Sequence, residues 1–328
     1  MPAKPIIPAG FPIGRLGNQH IASVLRPELK CVPLPGRAIR QLDSFTNART
    51  FSRRIRSQPK RFIGVAEGAS WLDYLPAYFD LDFCNGDLLG ELNHHPDLHV
   101  FKLARAGDTL EDIAYGPRGS GENLKSLVDA IRRFDARFIL LSAGGNDIAG
   151  PELERLLHPL HEAPDPKMPV IEAMEDWMLG RQFADRFHHI LDAVRRASSE
   201  VVVFIHGYDY PVPDGRGVLQ LPFGFRFAGP WLKPAFDNKG IRDTDTRQRV
   251  VRRLIDRLNT TLAGIARDRS DGRVHHIDLR GTLTAKRPGH RRDWADELHP
   301  TGRGWSRIAG KMAEVIVSLM NQRGSLPP

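Results

Sequence analysis

Val201-Val-Val-Phe-Ile205 is a run of five apolar residues, four of them β-branched. A run this short and this uniformly apolar reads as a strand covered on both faces of its sheet. The pattern on either side of it changes period. Downstream, Val250, Val251, Leu254, Ile255, Leu258, Leu262 and Ile265 recur at three- to four-residue steps, the stripe of an amphipathic helix. Val274-His-His-Ile-Asp-Leu279 then reads as another strand. Upstream, Leu124, Leu127, Val128, Ile131 and Phe134 mark a helix that leads into a strand at Phe138-Ile-Leu-Leu-Ser-Ala143. Two further strands are read at Leu98-His-Val-Phe-Lys-Leu103 and Arg61-Phe-Ile-Gly-Val-Ala-Glu67. A last helix carries Ile308, Met312, Val315, Ile316 and Leu319, with Thr301 as its candidate N-cap. Strands alternating with helices predict an α/β domain: a doubly wound, mostly parallel five-stranded sheet between helices. No internal repeat is visible.

Composition sets the outer limits. The 328 residues are 41% apolar and 26% charged, ordinary values for a globular protein. No apolar stretch is long enough to span a bilayer, and the first residues lack the apolar core of a secretory signal. Cys31 and Cys84 cannot form a disulfide framework. The expected location is cytoplasmic. Charge is unevenly spread: residues 1–61 hold 12 Lys or Arg against 2 Asp or Glu, while the remainder balances to −2. The expected organisation is a basic, Pro-rich N-terminal arm (1–60), an α/β domain (61–320) and a short tail (321–328). The arm, densest over Arg49–Arg61, reads as a solvated tail or a strap over the domain. The competing reading is contact with an anionic surface, including peripheral attachment to membrane lipid. No specific nucleic-acid partner is indicated.

In doubly wound sheets chemistry collects beyond the carboxyl ends of the strands. Four features fall there. Gly68-Ala69-Ser70-Trp71 follows the first strand, a small turn able to present a hydroxyl at the sheet edge. Ala104-Arg-Ala-Gly107-Asp108-Thr109 follows the second, where Gly107 permits close backbone approach and Asp108 or Thr109 could simply cap a helix. Gly144-Gly145-Asn146-Asp147 follows the third, either a tight turn or a mount for the Asn146 amide. Asp296-Glu-Leu-His299-Pro300 precedes the last helix, with a carboxylate three residues before an imidazole. Asp185-Arg-Phe-His188 has the same spacing but lies within a predicted helix, and His94 precedes a strand.

Together, in this order, the four blocks resemble those of the SGNH, or GDSL-type, hydrolases, serine esterases and lipases with a flavodoxin-like fold. The resemblance covers roughly residues 61–320. It implies Ser70 as nucleophile, Asp296 and His299 as acid and base, and an oxyanion hole formed by Ser70, Gly107 and Asn146. It further implies an acyl-serine route to ester hydrolysis, on an acylated lipid or an O-acetylated sugar, with no cofactor and no metal. One departure stands out: Ala69 occupies the position where members usually carry aspartate. That opens a second reading, a catalytically weakened domain that binds a ligand or partner. Glu297, beside Asp296, is an alternative support for the imidazole.

The remaining candidates are fewer. Gly207 to Asp243 is long and aromatic, with Tyr208, Tyr210, Phe223, Phe225, Phe227, Trp231 and Phe236, and is expected to be a folded lid or pocket wall. The pairs His94-His95, His188-His189 and His275-His276 point their neighbours apart and are poor metal sites. Nucleotide-loop, dinucleotide and zinc-protease motifs are absent.

Overall fold

The computed structural model describes residues 46–74, 87–217, 229–269 and 271–324. The arm from residue 1 to 45 and the aromatic residues Phe223, Phe225 and Phe227 lie outside the described residues. Five parallel strands form one sheet: β1 (Phe62–Gly68), β2 (Leu98–Lys102), β3 (Phe138–Ser142), β4 (Val202–His206) and β5 (Val274–Ile277). Their spatial order is β2-β1-β3-β4-β5. This is the flavodoxin-like arrangement, in which the winding direction reverses between β1 and β3. Each expected strand is present, with ends shifted by at most two residues. β2, β3 and β4 are buried at every position, which is why they read as unbroken apolar runs.

Among the described residues the α-helices of six or more residues are α1 (Ala48–Ser57), α2 (Leu88–His94), α3 (Leu110–Tyr115), α4 (Glu122–Phe134), α5 (Phe183–Ala197), α6 (Lys233–Asn238), α7 (Thr244–Asp268) and α8 (Gly302–Gly324). α5 packs against both α4 and α7, and α2 pairs with α8. Their stripes supply the core: Leu127, Ile131 and Phe134 from α4, then Val250, Leu254 and Leu258 from α7. Thr301 caps α8, its hydroxyl accepting from the Gly304 N–H at 3.1 Å. Thr109 caps α3 in a reciprocal box with Asp112, so the capping role read at that turn is present.

α1 was not legible in the basic arm. Asn47 caps it, accepting from the Arg49 and Thr50 N–H groups. Phe51 alone is fully buried, with its ring 5.1 Å from Phe101 of β2 and 4.9 Å from Phe134 of α4. One aromatic anchor among arginines leaves no periodic stripe to read. Among the described residues no helix is long and apolar enough to cross a membrane.

The register matters for the site. Gly68, the last residue of β1, lies opposite Ser142, the last of β3, so both strands end level at the reversal point. A Cβ on Gly68 would stand 2.3 Å from the Ser142 carbonyl oxygen. Only glycine lets these two strand ends approach so closely. The turns that follow β1 and β3 therefore open side by side.

Candidate active site

The turn after β1 is fixed at both ends. Ala69 N–H donates to the Ser142 carbonyl at 3.1 Å, continuing the sheet, and Leu72 N–H closes the turn on Ala69. Trp71 is buried and donates its indole N–H to the Leu298 carbonyl at 2.9 Å. That bond ties the Ser70 turn to the loop that carries His299, more than two hundred residues away along the chain. The indole packs edge-on against Tyr208 and Trp305.

The loop from Trp294 to Pro300 is closed by a bridge between its ends and by Ala295 N–H donating to the His299 carbonyl at 2.8 Å. Asp296 is 0% exposed. Its Oδ1 accepts the Leu298 and His299 N–H groups at 2.7 and 2.8 Å, and its Oδ2 accepts the Tyr74 hydroxyl at 3.1 Å. Both oxygens stand 3.0 Å from His299 Nδ1. A carboxylate only accepts, so this contact puts the imidazole proton on Nδ1 and leaves Nε2 free to accept. Nε2 lies 2.8 Å from Ser70 Oγ. Tyr74 lies over the imidazole at 4.6 Å between ring centres, and Trp231 meets it edge-on at 5.2 Å. Ser70, His299 and Asp296 are thus joined in one hydrogen-bonded line.

Glu297 points elsewhere. Its Oε1 accepts the Gly215 and Lys233 N–H groups, and its Oε2 those of Trp231 and Leu232, at 2.8 to 3.1 Å. It has no hydrogen bond to His299 among the described residues. Burial pushes its carboxyl up, against the pull of these four amides. Glu297 therefore anchors the strand-to-helix segment before α6 instead of supporting the imidazole. The loop it grips contributes Tyr208, Pro211 and Leu232 to the wall of a cleft beside Ser70.

The donor side is built from the next two turns. Arg105 N–H donates to the Gly68 carbonyl at 3.0 Å, carrying the β1–β2 pairing past the strand ends. Gly107 has φ +94, a left-handed conformation that the turn needs and glycine supplies. Asp73, three residues after Ser70, accepts the Ala106 N–H at 3.0 Å and binds Lys102 at 2.6 Å. Asn146 donates one amide N–H to the Asp108 carbonyl at 2.8 Å, which holds the β3 turn against the Gly107 turn. An amide nitrogen carries two hydrogens, so the second remains for a ligand. Ser70 and Asn146 both line the cleft. Neither the Ser70 nor the Gly107 N–H has an internal acceptor among the described residues.

The other histidines do different work. His188 lies within α5 and shares its Nδ1 with Arg269. His206, at the end of β4, is stacked on Trp71 and is held down to about 4 by burial. Among the described residues no cluster of three or more His, Cys, Asp or Glu side chains could hold a metal ion.

The model of the GDSL-like lipase/acylhydrolase family matches residues 43–305. The chain belongs to this family. As a GDSL-like hydrolase it is a serine ester hydrolase, and its match begins before α1, in the stretch read as a basic arm. A comparison with curated proteins finds no match. Among solved structures it is similar to an extracellular lipase from Streptomyces rimosus (13% identity over 78% of this chain and 99% of that one, TM-score 0.44). It is also similar to phospholipase A1 from Streptomyces albidoflavus NA297 (15% identity over 79% of this chain and 99% of that one, TM-score 0.46). A family 3 carbohydrate esterase from Clostridium thermocellum is a third (12% identity over 80% of this chain and 98% of that one, TM-score 0.43).

Glu67 sits beneath the GDSL-like hydrolase's Ser70 turn, buried, with its Oε1 accepting the Gly68 N–H at 2.9 Å. Burial pushes its carboxyl up to about 8. A raised carboxyl binds its proton more tightly folded than unfolded, so its contribution to stability is lost as pH rises through the folded value. The Tm should fall as the pH rises from 4.5 to 8, and Glu67→Gln should flatten that fall. Thermal melts across that range check it; an unchanged slope in the variant would assign the pH dependence to other groups.

Proposed function

We propose that this hydrolase cleaves a carboxylic ester, of the acylated-lipid or O-acetylated-sugar class, through an acyl-Ser70 intermediate. The observation that carries the reading is the line from Ser70 Oγ through His299 to the buried Asp296. His299 Nε2 takes the Ser70 proton as Oγ bonds to the substrate carbonyl carbon. Asp296 fixes the imidazole tautomer and balances the positive charge that forms. The carbonyl oxygen becomes an anion, received by the Ser70 and Gly107 N–H groups and the second Asn146 N–H. As the carbonyl reforms, the bond to the leaving alkoxide breaks and the alkoxide takes the proton from His299. Water then gives a proton to His299, attacks the acyl carbon and releases the acid, and the proton returns to Ser70.

Ala69 does not interrupt this relay. The turn it occupies is held by backbone bonds to Ser142 and by Trp71, not by a side chain at position 69. The binding-module reading is therefore not the one adopted.

The test is hydrolysis of p-nitrophenyl esters by the full chain and by Asn146→Ala. Removing one oxyanion donor is expected to lower kcat by about 100- to 1,000-fold with little change in KM. No ester cleavage by the wild type, or full activity in the variant, would overturn the reading.

A further inference from the structure

Residues 70–74 reach the other parts of the site one by one. Ser70 meets His299, Trp71 the Leu298 carbonyl and Tyr74 the Asp296 carboxylate. Asp73 reaches the turn after β2 instead, and the reaction scheme gives it no part. Its Oδ2 accepts the Ala106 N–H at 3.0 Å and its Oδ1 accepts the Lys102 ammonium at 2.6 Å. The Lys102 side chain, at the end of β2, is 4% exposed and also has Asp87 Oδ2 at 4.0 Å. A buried ion pair adds little net stability over apolar packing of the same size. What the Lys102 bond does is fix where the second Asp73 oxygen stands, against the Ala106 N–H.

The segment that Asp73 grips is a four-residue turn, closed by Asp108 N–H donating to the Arg105 carbonyl at 3.2 Å. Gly107, in third place, has φ +94, while Ala106 ahead of it has no positive φ. That is the type II form, in which the peptide between the second and third residues is turned over relative to type I. This peptide carries the Gly107 N–H, so the turn type decides whether that donor is presented or withdrawn. A Cβ on Gly107 would meet no atom within 4 Å among the described residues. Packing at Gly107 therefore does not hold the turn, and its hydrogen bonds must. We propose that Asp73, held by Lys102, is a positioning residue for the oxyanion hole: it fixes the Arg105–Asp108 turn so that the Gly107 N–H meets the carbonyl oxygen as charge develops there. A donor set in advance needs no reorganisation at the moment of reaction. Asp73 acts only through the turn and takes no proton from the substrate.

This inference rests on Ser70 being the acylated residue, so the experiment separates the two claims. The full chain and its Asp73→Ala variant are labelled to completion with a fluorophosphonate, which counts reactive sites. Both are then assayed with p-nitrophenyl butyrate, and with phenylboronic acid as inhibitor. Addition of Ser70 Oγ to boron makes a tetrahedral adduct with an oxygen where the substrate anion forms. In Asp73→Ala, kcat per reactive site should fall about ten- to a hundredfold, less than deletion of a donor costs, with KM within about twofold. Inhibition by phenylboronic acid should weaken by a similar factor. Asp73→Asn, which keeps one accepting oxygen for two donors, should lose less. An ion pair that only supports the fold would lower the Tm and the number of reactive sites, with kcat per site and inhibition unchanged; that result would overturn the inference. So would a loss of kcat per site with inhibition unchanged. A wild type that takes no label and cleaves no ester overturns the Ser70 reading instead. Should Asp73→Ala fail to fold, the same readings on Asp73→Asn decide.

Discussion

Ser70→Ala is expected to lower kcat by four to six orders of magnitude, leaving substrate binding nearly intact. The hydroxyl is the only atom set removed, and it sits 2.8 Å from the imidazole nitrogen that accepts its proton. Residues that act as one unit lose almost everything when the first is lost, with residual rate from the oxyanion donors and binding alone. Fold is not at stake in this change. Ser70 lies in a turn held by Ala69, Leu72 and Trp71, none of which uses the Ser70 side chain. Steady-state kinetics on a p-nitrophenyl ester, with a melt to show an unchanged Tm, reads the effect. A variant retaining more than a hundredth of the activity would place the nucleophile elsewhere.

Asp296→Asn is expected to cost about ten-thousandfold in kcat at neutral pH. The carboxylate accepts four donors: two backbone N–H groups, the Tyr74 hydroxyl and the His299 Nδ1 proton. Asparagine keeps the shape but replaces one accepting oxygen with an NH₂ group. If that group faces the imidazole, it donates to Nδ1 and moves the ring proton to Nε2, where it can no longer take the Ser70 proton. If it faces Leu298 and His299, it opposes two N–H groups inside a buried site, which destabilises the loop. Either outcome lowers kcat. Glu297→Gln provides the contrast: it weakens the grip on Trp231, Leu232, Lys233 and Gly215 and leaves the tautomer untouched. Its effect should appear in Tm and KM before kcat. Equal kcat losses in the two variants would contradict the division of roles.

The sheet was legible because its strands are buried on both faces and its helices are striped, so local pattern and tertiary position agree. The residues that meet beside Ser70 were legible as motif blocks at strand ends, where a parallel sheet must turn. What could not be read is what joins those blocks. Trp71 bonds to Leu298, and Tyr74 to Asp296, across more than two hundred residues. No local period records such pairings. Asp296 and Glu297 are adjacent acids, the first favoured by its spacing to His299 and the second an alternative support. Their roles separate only because one loop turns the first toward the imidazole and the second toward the amides before α6. α1 escaped notice for a different reason. Phe51 supplies its sole fully buried anchor, and the arginines around it gave the segment the texture of a solvated arm.

The most direct test of the central claim is the mass of the protein after reaction with a fluorophosphonate, followed by mapping of the modified peptide. One adduct per chain on Ser70 is the result expected, formed slowly or not at all in His299→Ala. Hydrolysis that continues with Ser70 unmodified, or an adduct on another serine with loss of activity, would contradict the account.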